Sequence, residues 1–236
     1  MDLIITPIEN GFKISEEKTL RDYQVDAVNS IATNNILGKP FYRGVINIAT
    51  NGGKTVIAEG VLKGLLPQLE EKGGIVLFIT HSKEIAYQTK RSIERDLNIE
   101  TGFIGDGKWE LKPITLAITT TMYRRMKDGK VEFEELRERV KGVIVDEVHH
   151  VSAASFQDVL NCFEDASIRI GLTGTVDKSN PVNEMKLYAC TGSIIARISN
   201  NYLIDKGVSA KPICLMFKVD SPELDDLDYQ DAYSFG

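Results

Sequence analysis

Two short stretches carry residues able to do chemistry together. In IATNGGKTVIAEG (48–60), Gly52 and Gly53 precede an ammonium and a hydroxyl, Lys54 and Thr55, at the start of a segment with helical spacing. Glycines let backbone N–H groups turn toward a ligand, and a helix N-terminus adds partial positive charge, so this is the make-up of an anion site. In GVIVDEVHH (142–150), four apolar residues deliver Asp146 and Glu147 to the end of a buried strand. Adjacent carboxylates there are costly unless a cation or hydrogen-bond donors hold them. The two stretches together could handle a magnesium–triphosphate. Lys54 would reach the β and γ phosphates, and Thr55 and Asp146 would hold Mg²⁺. Glu147 would orient or deprotonate an attacking water.

The loop is irregular. The glycine expected five residues before Gly53 is Ile48, and Asn51 stands where another glycine often sits. Asparagine enters the left-handed region more cheaply than most residues, so the loop can still close. On these residues alone NGGK also reads as a surface turn, and the carboxylates as a solvated strand end.

The elements that must position these groups follow from periodicity. Apolar runs at 42–49, 73–80, 113–120, 142–148, 168–175 and 212–219 have the length and Val/Ile content of buried strands. Segments 20–31, 55–66, 82–97 and 154–163 repeat apolar residues every three or four positions and read as helices. Such alternation predicts an α/β fold, with a mostly parallel sheet covered on both faces and ligands at the carboxyl ends of the strands. Before it, ITPIENGFKIS (5–15) places Asn10-Gly11 between two alternating segments, which predicts a small β-hairpin.

Composition narrows the setting. The 236 residues carry a net charge of −6, and the six acids Asp220, Glu223, Asp225, Asp226, Asp228 and Asp231 account for that surplus. The body is therefore balanced and can present a local basic groove to nucleic acid. The acidic end reads as a linker or tail. Three scattered cysteines, Cys162, Cys190 and Cys214, without a CxxC pair, fit a reducing compartment. With no leader pattern and no long apolar run, a cytoplasmic protein without membrane contact is expected.

Taken in order, the motifs resemble the first motor domain of superfamily 2 helicases and translocases, a RecA-like P-loop fold. That family writes its loop A/P-T-G-x-G-K-T, which Ala49, Thr50, Asn51, Gly52, Gly53, Lys54 and Thr55 match except at Asn51. DEVH (146–149) and TGT (173–175) complete the nucleotide set. LRDYQ (20–24) is similar to the LRPYQ of the branch containing RecG, UvsW, XPB and type III restriction motors, and TGFIGDGKW (101–109) also fits that branch. The resemblance implies that Arg21 and Gln24 recognise adenine. It makes His149 the link to Thr173, Gly174 and Thr175, the segment that couples hydrolysis to nucleic acid. HSKEIAYQ (81–88) resembles P-T-R-E-L-A-x-Q, and AITTTM (117–122) resembles A-T-I-Q-T-L with Thr120 in place of Gln. Ser82, Lys83, Gln88, Thr120 and Thr121 would then grip a nucleic-acid backbone. Small hydroxyls and helix N-termini past strand ends suit sequence-independent phosphate contacts. YLIDKG (202–207) is similar to the run that closes such a domain.

The expected division is a hairpin extension over 1–19, a motor domain over 20–218, and an acidic linker or start of a second motor domain over 219–236. ATP and Mg²⁺ are the implied cofactors. DNA is the favoured partner, with RNA open, and a second RecA-like domain would lie further along the same protein. The implied activity is that of an ATP-dependent DNA helicase or translocase, in repair or recombination, in a phage or another cytoplasm. Two other readings remain open: a nucleotide-gated binding module without motor activity, and a restriction-type duplex translocase. Trp109 and Tyr123 read as packing residues more than base stackers, and His81 and His150 as structural.

Overall fold

The computed structural model describes residues 2–149, 154–175 and 180–216. In chain order, α1 (Asp22–Ala32) is followed by a small antiparallel hairpin, β1 (Asn35–Ile36) and β2 (Lys39–Pro40). Next come β3 (Arg43–Ile48), α2 (Lys54–Lys72), β4 (Ile75–Thr80), α3 (Lys83–Leu97), β5 (Gly102–Gly105) and β6 (Lys108–Glu110). Then follow β7 (Ile114–Ile118), α4 (Thr119–Lys127), α5 (Val131–Arg139), β8 (Val140–Asp146), α6 (Ala154–Asn161) and β9 (Ile168–Thr173). The described part ends with α7 (Pro181–Thr191), β10 (Ile194–Ile198) and α8 (Asn200–Asp205).

Eight strands form one sheet in the order β10-β3-β9-β8-β4-β7-β5-β6, in which only β5 and β6 run antiparallel. Helices cover both faces, so the central strands are apolar throughout rather than alternating with polar residues. Along β4, Ile75, Leu77 and Ile79 enter one core with Met122 of α4, Leu136 of α5 and Phe156 of α6. Val76 and Phe78 enter the other, with Val28 of α1, Leu62 of α2 and Ile93 of α3. Helix α3 begins where Ser82, in extended conformation, accepts from the Ile85 amide, and ends at Asn98 in the left-handed region.

Register sets the functional edge. Asn47 pairs with Thr173, Asp146 with Leu172, Ile79 with Val145, and Thr80 with Ile118. The carboxyl ends of β3, β9, β8, β4 and β7 therefore finish in one row, and the chain past each end is available to a ligand on that edge. Between the phosphate-loop strand β3 and the carboxylate strand β8 lies β9, so the TGT segment stands between the two groups.

Five expected strands form as proposed, within a residue or two at each end; of the sixth, 212–219, only 212–216 are described. Residues 212–216 have no strand, and Ile213, Leu215 and Met216 are exposed. An apolar run becomes a strand only where a neighbour offers pairing and a face to cover, and among the described residues no strand pairs with 212–216. A small antiparallel hairpin lies at 35–40, and the N-terminal segment doubles back a few residues past Asn10-Gly11, where Lys13 bridges Thr19 and the Leu20 amide donates to the Phe12 carbonyl. Asn10 and Gly11 do turn, but the flanks are claimed by other contacts. Ile8 exchanges backbone bonds with the Asn29 side chain, and Leu3, Ile5 and Ile14 are buried in the core. Farther on, Lys18 ties this segment to Glu59 of α2 at 2.6 Å and Asp96 of α3 at 2.5 Å. His150, Val176 and the acidic end lie outside the described residues.

Candidate functional site

The loop after β3 has the backbone its residues require. Asn51 (φ 69°) and Gly53 (φ 89°) are both left-handed. At Gly52 a Cβ would stand 2.3 Å from Cγ1 of Ile48, a fully buried side chain. Ile48 thus fills the space beside Gly52. The glycine missing at 48 is an exchange of packing, not a broken loop. A Cβ on Gly53 would meet the Gln24 amide nitrogen at 2.5 Å.

From α1, Gln24 Nε2 and the Tyr23 hydroxyl each donate to the Gly52 carbonyl at 3.0 Å. Gln24 Oε1 accepts from the Arg21 amide at 3.0 Å, and Arg21 donates to the Tyr23 hydroxyl at 3.2 Å. Gln24 is buried and occupied with the loop itself, whereas Arg21 is exposed beside a cavity of about 250 Å³ shared with Tyr202 and Lys206. The clamp by Tyr23 is not legible in residue spacing. Its only sequence signal is a tyrosine next to the glutamine.

Lys54 opens α2, and its ammonium is hydrogen-bonded to the Glu147 carboxylate. The loop and the carboxylates therefore converge. Asp146, 8% exposed, accepts from the Glu147 amide at 3.0 Å. Burial pushes its pKa above the ordinary carboxylate value, partly offset by the Lys54 charge. Burial alone would also raise Glu147, but the hydrogen bond and charge of Lys54 outweigh it and hold that carboxyl low. Glu147 itself has a left-handed backbone (φ 49°), a strain of about 1–3 kcal/mol for a residue of this type.

From Glu147 a polar chain runs into β9. His149 Nδ1 lies 3.2 Å from Glu147 Oε2 and 2.9 Å from Thr173 Oγ1. The Thr173 hydroxyl donates to the Thr175 carbonyl at 2.6 Å and accepts from the Thr175 amide at 3.2 Å. Its one proton is thereby used, so His149 carries hydrogen on Nδ1 and donates. Gly174 follows Thr173 in the same turn, and a Cβ on it would lie 3.8 Å from Thr50 Oγ1. Lys54, Glu147, His149 and the TGT segment form one connected group.

Among the described residues no cluster of three or more His, Cys, Asp or Glu could cage a metal. The donor set instead fits Mg²⁺, which binds through one or two protein oxygens, waters and substrate phosphates. Asp146 is a buried carboxylate that a cation would stabilise, and Thr55 stands on the first turn of the helix that Lys54 opens.

The expected nucleic-acid residues share the same edge but differ in availability. The Ser82 hydroxyl caps α3 and donates to Glu84 at 2.8 Å. Lys83 is paired with Asp106, while Gln88 and Thr120 are exposed and Thr121 is half-buried. Thr119, buried, donates to the Thr80 carbonyl at 3.1 Å and locks β7 to β4. Trp109 lies under Arg125 and Tyr123 under Lys127, at 5.4 and 5.3 Å, as packing residues do.

The family described as "Type III restriction enzyme, res subunit" matches residues 17–178. The DNA 3'-5' translocase XPB2 of Sulfurisphaera tokodaii is 28% identical over 197 residues, which are 83% of this chain and 39% of that protein. Among solved structures, the UvsW helicase of bacteriophage T4 superposes with a TM-score of 0.61 at 18% identity, over 78% of this chain and 63% of that one. The Sulfolobus solfataricus SWI2/SNF2 ATPase core in complex with dsDNA gives 0.55 at 14% identity, over 81% and 37%. The chain thus spans well under half the length of the XPB2 relative. It belongs to the type III restriction enzyme res subunit family, and it is a RecA-like motor domain of the superfamily 2 helicase kind.

Proposed function

We propose that this domain binds ATP with Mg²⁺ and, with a second RecA-like domain of the same protein, hydrolyses it to drive movement along DNA or remodelling of it. The observation that carries the reading is the contact of Lys54 with Glu147, which brings the phosphate loop and the acid pair to one point. Asp146 and Thr55 would hold Mg²⁺, a reading supported by the buried Asp146 carboxylate and by Thr55 on the first turn of α2. The metal would neutralise phosphate charge during transfer. When phosphate oxygens take Lys54, Glu147 is released from its partner and keeps His149 beside it, free to orient water. Arg21 stands where a base could be read beside its cavity.

Coupling to nucleic acid would run through His149 and Thr173 into the TGT turn, which abuts Thr50 of the loop. Ser82, Lys83, Gln88, Thr120 and Thr121 supply the backbone grip on the same edge. DNA is favoured by the named activity of the XPB2 relative and the duplex held by the SWI2/SNF2 core. The test is steady-state ATP turnover by the full-length protein with and without duplex DNA. Stimulation by DNA is expected, and turnover indifferent to any nucleic acid would overturn the motor reading.

A further inference from the structure

The turn joining β5 to β6 is a two-residue hairpin, with Gly105 paired to Lys108 across Asp106 and Gly107. Both turn residues are left-handed, Asp106 at φ 51° and Gly107 at φ 78°, and Asp-Gly is a preferred sequence for that turn. The turn needs a residue that tolerates positive φ there, but asparagine or glycine would serve equally. It does not need a charge.

The charge has partners on α3. Asp106 Oδ1 lies 2.6 Å from Lys83 Nζ, and Oδ2 accepts from the Tyr87 hydroxyl at 3.1 Å. Lys83 and Tyr87 are four residues apart and so share a helix face. Tyr87 is steadied by stacking on Phe103 of β5, with ring centroids 4.6 Å apart. Of the other charges nearby, Glu84 is held by Ser82, and Lys108 adds a second cation on the hairpin. The pair is half-exposed, 50% at Lys83 and 41% at Asp106, so a solvated competitor can displace it.

We infer that Asp106 is an internal stand-in for a nucleic-acid phosphate: its carboxylate occupies Lys83 and Tyr87, and a backbone phosphate must displace it to bind there. This deepens the nucleic-acid reading proposed above and rests on it. An acid at this point weakens the grip of α3 on the strand and lets the contact exchange, as a moving motor requires. One negative charge about 5 Å from a phosphate through water changes affinity roughly fourfold.

The experiment is a fluorescence-anisotropy titration of a labelled duplex with the wild-type chain and with Asp106→Asn, Asp106→Gly, Lys83→Ala and the double variant Lys83→Ala/Asp106→Asn, each over about 50–200 mM salt. Both neutral turn variants should bind about fourfold tighter at low salt. Their log K against log[salt] slope should steepen by up to ~0.9, the share of one duplex phosphate. The gain should vanish in the double variant. If Lys83→Ala weakens binding but neither Asp106 variant tightens it, the stand-in is refuted while the nucleic-acid reading stands. If Lys83→Ala has no effect, Lys83 is no phosphate contact and the stand-in is refuted while the nucleic-acid reading stands; if the wild-type chain binds no duplex, the reading beneath it fails as well.

Discussion

Glu147→Gln separates two roles that one carboxylate holds. In the structure Glu147 partners Lys54, with the two side chains about a quarter exposed. A phosphate must break that pair before it can use the lysine. Removing the charge should therefore tighten ATP binding. A pair this solvated is discounted to the upper end of the surface range, about 1 kcal/mol, or roughly fivefold in Kd. The same change removes the group expected to orient water, which should lower hydrolysis by about 10²–10⁴-fold. Gln keeps the left-handed backbone and the shape of the side chain, so the fold is not the variable. Binding is read by calorimetric titration of ATP with Mg²⁺ into the chain, and turnover by phosphate release from the full-length protein with DNA. Tighter binding with lost turnover is expected. Normal turnover would remove Glu147 from the chemistry, and weaker binding would show that Lys54 is not held by it.

Tyr23→Phe removes one of the two donors to the Gly52 carbonyl but leaves Gln24 in place, so the carbonyl is not orphaned. The loss should be about 0.5–1.5 kcal/mol in urea unfolding, with KM for ATP raised and kcat little changed. At low pH the weak point is Asp96, whose pKa is brought down to about 2 by the hydrogen bond from Arg95, with Lys18 adding to it against burial. A carboxyl lowered on folding stabilises above its unfolded value of 3.8 and loses that contribution as pH falls toward 2. Urea unfolding should therefore show a loss of about 2 kcal/mol across that interval, and Asp96→Asn should flatten it.

Much of the site is legible because its constraints are local. Glycine at 53 and asparagine at 51 announce positive φ, and both residues have it. The five apolar runs that became strands are buried on both faces, where periodicity fails but length and Val/Ile content do not. Strand β10 went unread because its sequence, IIARI, sits half-exposed at a sheet edge with an arginine in it. Residues 212–216 of the run at 212–219 form no strand for the opposite reason: composition cannot say whether a pairing partner exists. The engagement of Gln24 and Tyr23 with the loop, and of Asp106 with α3, depends on which elements meet in space. No spacing encodes that. The Asp-Gly turn was present in GDGK, yet only the geometry shows what its carboxylate touches.

In the proposed site the loop before Lys54 and the acids ending β8 hold a single magnesium–triphosphate. The most direct measurement is ATP affinity with and without Mg²⁺, in the wild-type chain and in Asp146→Asn. Mg²⁺ should tighten binding to the wild type, and the substitution should abolish that gain while leaving metal-free binding equal or tighter. An undiminished Mg²⁺ effect in Asp146→Asn would show that Asp146 does not hold the metal and that the two groups do not share one ion.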